Sequence, residues 1–141
     1  MVMFYESTIR VRFRDTDMYG HVNNASYATF MEEARIQFIE EHFGSFSIPL
    51  ILASAAYKFV SQTKFPEHRD IISRMWVRKL GHSSAELVTH LLAIDGTRLC
   101  ECVLTVVHFD YQAQKAARIP DDVRQVLERY LHSEGEVPYG K

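Results

Sequence analysis

The sequence predicts an α+β fold in which a sheet of antiparallel strands curls around one long helix. Three observations lead there. A strand-like segment near the start runs into a long amphipathic helix. A series of extended runs follows, separated by short turns. A second, shorter helical pattern closes the series. Strands gathered after one helix, rather than alternating with helices, favour an antiparallel sheet covering that helix. At 141 residues the chain is long enough for one domain with a real core and short for two. A single domain over 1–141 is therefore expected, with the polar residues 133–141 as a mobile tail.

Each element has its own signal. Between Phe4 and Phe13, the apolar residues Ile9, Val11 and Phe13 alternate with Arg10 and Arg12. That period of two predicts a strand with one buried face. From about Ala25 to His42, Tyr27, Phe30, Met31, Ala34, Phe38 and Ile39 recur at three- and four-residue steps and form one stripe. Asn23 or Asn24 can cap this helix and Gly44 can stop it. The next segment predicts a short helical turn around Pro49 to Ala53 and extended chain from about Ala55 to Thr63. Pro66 to Asp70 reads as a turn. Strands are expected over Ile71 to Leu80, Ser83 to Ile94 and Arg98 to Asp110. The Asp95-Gly96 pair marks the hairpin between the last two. Pro120 with Asp121 and Asp122 opens a second helix, to about His132, because proline and acidic side chains both suit a helix start.

Composition narrows the function classes. A net charge of -2 does not suit a protein that grips nucleic acid over its whole surface. Cys100 and Cys102 lie one residue apart in a predicted strand, point to the same face, and lack the spacing of a zinc pair. They are expected to be reduced packing residues. No apolar run approaches the ~20 residues needed to cross a bilayer. MVMFYESTIRVRF shows no basic segment followed by a long apolar stretch. A cytoplasmic protein with no nucleic-acid or membrane partner is expected.

The stretch RDTDMYGHVNN, Arg14 to Asn24, carries the densest chemistry. Its residue types fit two roles. Aspartate and asparagine are turn residues that bond their own backbone, so the loop can simply cap a helix. It can also hold a carboxylate, normally ionised at neutral pH, close to a helix start with unpaired N–H groups and a favourable dipole.

The longer run DTDMYGHVNNASYATFMEEAR resembles the signature of the hotdog-fold acyl-CoA thioesterases of the 4-hydroxybenzoyl-CoA thioesterase type. Within that group it is most similar to the bacterial long-chain enzymes. The likeness continues, more weakly, through LGHSSAEL and VVHFDYQAQKA, and covers about Ile9 to Leu131. The resemblance implies a hotdog fold, a homodimer or homotetramer with active sites at subunit interfaces, and no metal or other cofactor. It implies Asp17 as the catalytic carboxylate and the Asn24 backbone N–H as the group polarising the carbonyl. Gly20, His21, Val22, Asn23 and Tyr27, with His82 and Ser83 from the LGHSS segment, become substrate-binding candidates.

The residue types fit that chemistry. Thioester hydrolysis near neutral pH needs a nucleophile, either a carboxylate or a water that a base activates. It also needs a donor for the charge developing on oxygen. Structural roles compete at several positions. Asp15 suits holding the loop together through backbone N–H groups or Arg14. His21 can be an imidazole bonded to backbone, and Tyr27 can be core. Glu32 and Glu33 read as solvated or interface residues. Asp15, Asp17 and His21 are metal-ligand types, but their short spacing without a distant partner makes a weak metal site. Tyr27, Phe30, Met31, Tyr57 and Phe59 are candidate acyl-pocket liners. Lys58, Lys64, Arg78, Lys79, Arg98 and Arg118 are candidates for the CoA phosphates. The expected function is hydrolysis of a fatty or aromatic acyl-CoA. The alternatives are hydrolysis of an ester on acyl-carrier protein, or acyl-CoA binding without turnover.

Overall fold

The computed structural model describes residues 3–44 and 48–132. The expected mobile tail, 133–141, lies outside the described residues. The elements run β1 (Tyr5–Arg10), α1 (Asn24–Phe43), β2 (Leu50–Phe59), β3 (Asp70–Leu80), β4 (Ser84–Leu92), β5 (Arg98–Asp110), β6 (Lys115–Ala116) and α2 (Asp121–Arg129). The strands form one antiparallel sheet in the order β1-β3-β4-β5-β2, with β6 pairing the end of β5.

The α+β expectation is met. All six stripe residues of α1 are buried, and they pack on the inward positions of the sheet: Ile9 from β1, Ile71 and Met75 from β3, Leu87 and Leu91 from β4, Cys100, Cys102 and Leu104 from β5. Both cysteines are free and buried, and burial pushes each thiol up to about 12. Asn23 caps α1 by accepting the Ala25 N–H at 2.9 Å. Gly44 ends the helix at φ 71°, a left-handed conformation that costs glycine little. Val123, Val126 and Leu127 of α2 join the same core.

Three expectations fail locally. β1 stops at Arg10, and Phe13 is 77% exposed rather than inward. The Asp15 carboxylate accepts the Arg12 N–H at 2.8 Å and winds Phe13–Asp15 into a 3-10 turn, which breaks the period of two. The helical turn predicted at Pro49 to Ala53 is instead the beginning of β2, paired along β5 with a bulge between Leu52 and Ser54. Long-range pairing overrides the local signal there. The same strand ends at Phe59, short of Thr63, because Val60 and Ser61 both turn their N–H groups onto the Leu99 carbonyl.

Candidate active site

The β1–α1 loop is organised by its own polar groups. Asp15 is buried, and its carboxylate faces Arg12, with the Arg12 guanidinium 3.6 Å away. Its carbonyl accepts the Asn23 N–H at 2.8 Å and the Ser26 hydroxyl at 3.2 Å. Asp15 therefore ties the end of the strand to the start of the helix, with Arg12 rather than Arg14 as its charged partner.

Asp17 does something different. Its Oδ1 accepts the Tyr19 N–H at 2.9 Å and the His21 N–H at 3.2 Å. Its own N–H donates to the His21 carbonyl at 2.8 Å, and Gly20 closes the turn at φ 77°. One carboxylate oxygen thus does turn chemistry and fixes the side chain. The other, Oδ2, has no protein partner among the described residues.

The carboxylate borders a cavity of about 290 Å³. His21, Val22, Asn24 and Tyr27 share one wall with Asp17, and the segment from Phe59 to Thr63 forms the other. Two main-chain contacts hold the walls together. The Val22 N–H donates to the Thr63 carbonyl at 2.8 Å, and His21 forms an isolated bridge with Lys64. The Tyr27 hydroxyl bonds the Thr63 hydroxyl at 2.8 Å, and its ring meets Phe59 at 5.2 Å. Burial pushes the Tyr27 phenol up, opposed by the Thr63 bond. Asn24 is the first residue of α1, and its N–H meets no acceptor among the described residues, as is usual in a first turn.

Asp17, His21, Val22, Asn24 and Tyr27 therefore converge on one cavity. Gly20 and Asn23 shape that wall from behind, one as the turn and the other as the cap. His82 and Ser83 do not join it. They occupy the β3–β4 turn, while the loop lies beside the opposite end of β3, where Arg10 pairs with Asp70. A strand of that length spans roughly 35 Å. The His82 carbonyl accepts the Ile119 N–H and the Arg124 guanidinium, and the Ser83 carbonyl accepts the His108 N–H. Of the proposed acyl liners, Tyr27 and Phe59 reach the cavity, while Phe30 lies in the core. Thr63 was not singled out from the sequence. Its buried, bonded hydroxyl depends on a distant tyrosine, and no local pattern signals that.

The arrangement can hold a carboxylate and an unpaired helix-start N–H on one small space. Among the described residues, no group of three or more His, Cys, Asp or Glu side chains could share a metal ion. Of the basic candidates, Arg78, Arg98 and Arg118 pair with Glu86, Glu101 and Asp121. Lys64 bridges His21 through the main chain and follows the lining residue Thr63, but does not itself line the cavity.

The chain has relatives among known proteins, in sequence and in fold. A family model described as the thioesterase-like superfamily matches residues 11–127. The long-chain acyl-CoA thioesterase FadM of Escherichia coli (strain K12) is 26% identical over 134 residues, covering 89% of this chain and 98% of that protein. A predicted thioesterase from Bacillus stearothermophilus superposes with a TM-score of 0.84 at 19% identity, covering 94% of this chain and 100% of that one. A thioesterase from Thermus thermophilus, crystallised with coenzyme A and Zn, superposes with a TM-score of 0.77 at 22% identity, covering 87% of this chain and 91% of that one. The fold is that of the hotdog thioesterases.

Proposed function

The chain belongs to the thioesterase-like superfamily, and on that ground we propose that it hydrolyses the thioester of a fatty or aromatic acyl-CoA to the free acid and CoA. The observation that carries this reading is the cavity shared by Asp17 and Asn24, the first residue of α1. Asp17 Oδ2 attacks the acyl carbon or takes a proton from a water that attacks it. The carbonyl oxygen gathers negative charge as the tetrahedral intermediate forms. The Asn24 N–H, reinforced by the α1 dipole, stabilises that charge. The carbon–sulfur bond then breaks. In the general-base branch the proton held on Asp17 passes to the departing sulfur and the free acid is formed directly. In the direct-attack branch the sulfur takes a proton from water, and a second water hydrolyses the acyl–Asp17 anhydride to the free acid and the restored carboxylate. The two bonds on Oδ1 keep the carboxylate aimed without occupying its reactive oxygen. Relatives named for acyl-CoA hydrolysis, or crystallised with coenzyme A, support the CoA ester as substrate.

The reading includes a homodimer or homotetramer. β2, LILASAAYKF, is a free sheet edge of ten residues, and Lys58 is its single charge. An exposed, largely apolar edge of that length is a template for pairing with a second copy. β1, the opposite edge, is shorter and carries Glu6 and Arg10. The reading also places the protein in the cytoplasm, where two free buried cysteines are at home. No helix among the described residues is long and apolar enough to cross a membrane.

The test is release of CoA thiol from acyl-CoA esters, followed with a disulfide reagent, beside the same acyl groups on carrier protein. Turnover of the CoA ester is expected. Asp17→Asn should lose about 10²–10⁴-fold in kcat with an unchanged thermal midpoint. A fully active Asp17→Asn protein overturns the assignment. A clear preference for the carrier ester moves the substrate to acyl-carrier protein.

A further inference from the structure

The reaction cavity is not the only space along α1. A second cleft of about 160 Å³ opens further along the helix. Met31 and Leu104 form its buried floor, Ala28 and Arg35 line it from the helix, and Leu52 and Tyr57 border it from β2. The two spaces lie on one line. On β2, Phe59, Tyr57 and Ala55 oppose Cys100, Cys102 and Leu104, whose side chains are all in the core, so they share the inward face. On α1, Tyr27 borders the first space and Ala28 and Met31 the second.

One aromatic contact divides them. The Tyr27 and Phe59 rings meet at 5.2 Å, and Tyr57 stands 6.2 Å behind Phe59. The two sides of this barrier differ in freedom. Tyr27 is tethered by its bond to Thr63, whereas the Phe59 side chain has no polar atom to anchor it and meets the Tyr27 and Tyr57 rings. Phe59 is therefore the side that can move.

We propose that Phe59 is a gate through which the acyl chain leaves the reaction cavity and enters the α1–β2 cleft, so that Phe59, Tyr57 and Ala28 set the chain length this protein accepts. This inference rests on the thioesterase reading above. Size supports it. The first cavity, about 290 Å³, lies at the lower bound of pockets that enclose a drug-sized ligand, about 300–1,000 Å³, so a long chain needs further room. Length supports it too. The helix rises about 1.5 Å per residue, so roughly 16 Å separates Asn24, at the carbonyl, from Arg35. A straight acyl chain of medium length spans that distance. Polarity marks the end of the lane. Arg35 is half-buried and has no ion pair or hydrogen bond among the described residues, and exposed Glu32 lies beside it. An apolar tail gains by stopping before those charges.

The experiment measures kcat/KM for short, medium and long straight-chain acyl-CoA esters with wild type, Phe59→Ala, Ala28→Phe and Tyr57→Trp. The readout is the long-to-short ratio, with thermal midpoint and oligomeric state checked for each protein. Phe59→Ala opens the gate and should raise the ratio about tenfold. Ala28→Phe fills the cleft from the helix and Tyr57→Trp fills it from the sheet, so each should lower the ratio by about tenfold. If one blocking variant fails to fold or assemble, the other carries the test. Ratios that stay within about twofold of wild type in all folded variants overturn the gate while leaving the thioesterase reading intact. A wild type inert on every ester overturns both, and that silence distinguishes the two failures.

Discussion

Asp15 and Asp17 are two residues apart and do unlike work because their surroundings differ. Asp15 is buried and spends its carboxylate on Arg12, while Asp17 is exposed and keeps one oxygen for the cavity. A titratable group of another kind lies on the outer face of the sheet. His90 is 5% exposed, edge-on to Trp76 at 4.9 Å, and opposite Arg74 and Glu101 in the strand register. Burial pushes its pKa from 6.5 down to about 4, opposed by Glu101 and assisted by Arg98. Between those two values the unfolded chain binds a proton that the folded chain does not. Stability should therefore fall as pH drops from 6.5 towards 4, by up to about 3 kcal/mol, and His90 contributes no slope above 6.5. Urea midpoints at neutral and mildly acid pH check this. The loss should shrink in His90→Gln, and an equal loss there would assign it to other groups.

The helix α1 and its caps form the unit that carries the site. Asn23 bonds the Ala25 N–H, and that bond fixes where the helix begins and hence where the Asn24 N–H lies. Asn23→Ala should cost about 1 kcal/mol of stability. Its kcat should fall with KM nearly constant if, as in the proposed mechanism, the cap positions a group used in the transition state. Stability lost with kcat unchanged would reduce Asn23 to a purely structural cap. β2 plays the complementary part, since it presents Phe59 and Tyr57 to the cavities on one face and leaves its edge open.

The proposed oligomer is tested at the open β2 edge. If β2 pairs with β2 of a second copy, stability is linked to protein concentration, and dilution should lower the thermal midpoint. Ala56→Lys puts a second ammonium on the strand beside Lys58 and does the same on its mate, so that four ammoniums gather along the paired edges. It should shift the size-exclusion profile towards monomer at low salt, with partial recovery at high salt as screening grows. An unchanged oligomer would place the interface elsewhere. The outer sheet face is laced instead with Arg74–Glu6, Arg78–Glu86 and Arg98–Glu101 pairs, at 2.7, 2.8 and 3.2 Å. Partly exposed pairs of this kind each add little stability.

Much of this was legible in the residue order, for physical reasons that differ by position. The stripe from Tyr27 to Ile39 could be read because a helix repeats its buried face every three or four residues, and β5 was bounded at Arg98 and Asp110 by the turns flanking it. The Asp17 loop stood out because its residue types and order resemble a known signature. Long-range facts left no such trace. Pairing along β5 made Pro49 to Ala53 a strand approach rather than a helical turn, and a carboxylate on a backbone N–H turned Phe13 outward. Thr63 became a wall of the site through a tyrosine thirty-six positions away. The division between the two cavities exists because rings from a helix and a strand happen to meet. Periodic burial and local capping act over a few residues and are written into them. Cavity shape and the pairing of distant walls arise from packing among segments far apart in the chain, and no short stretch encodes them.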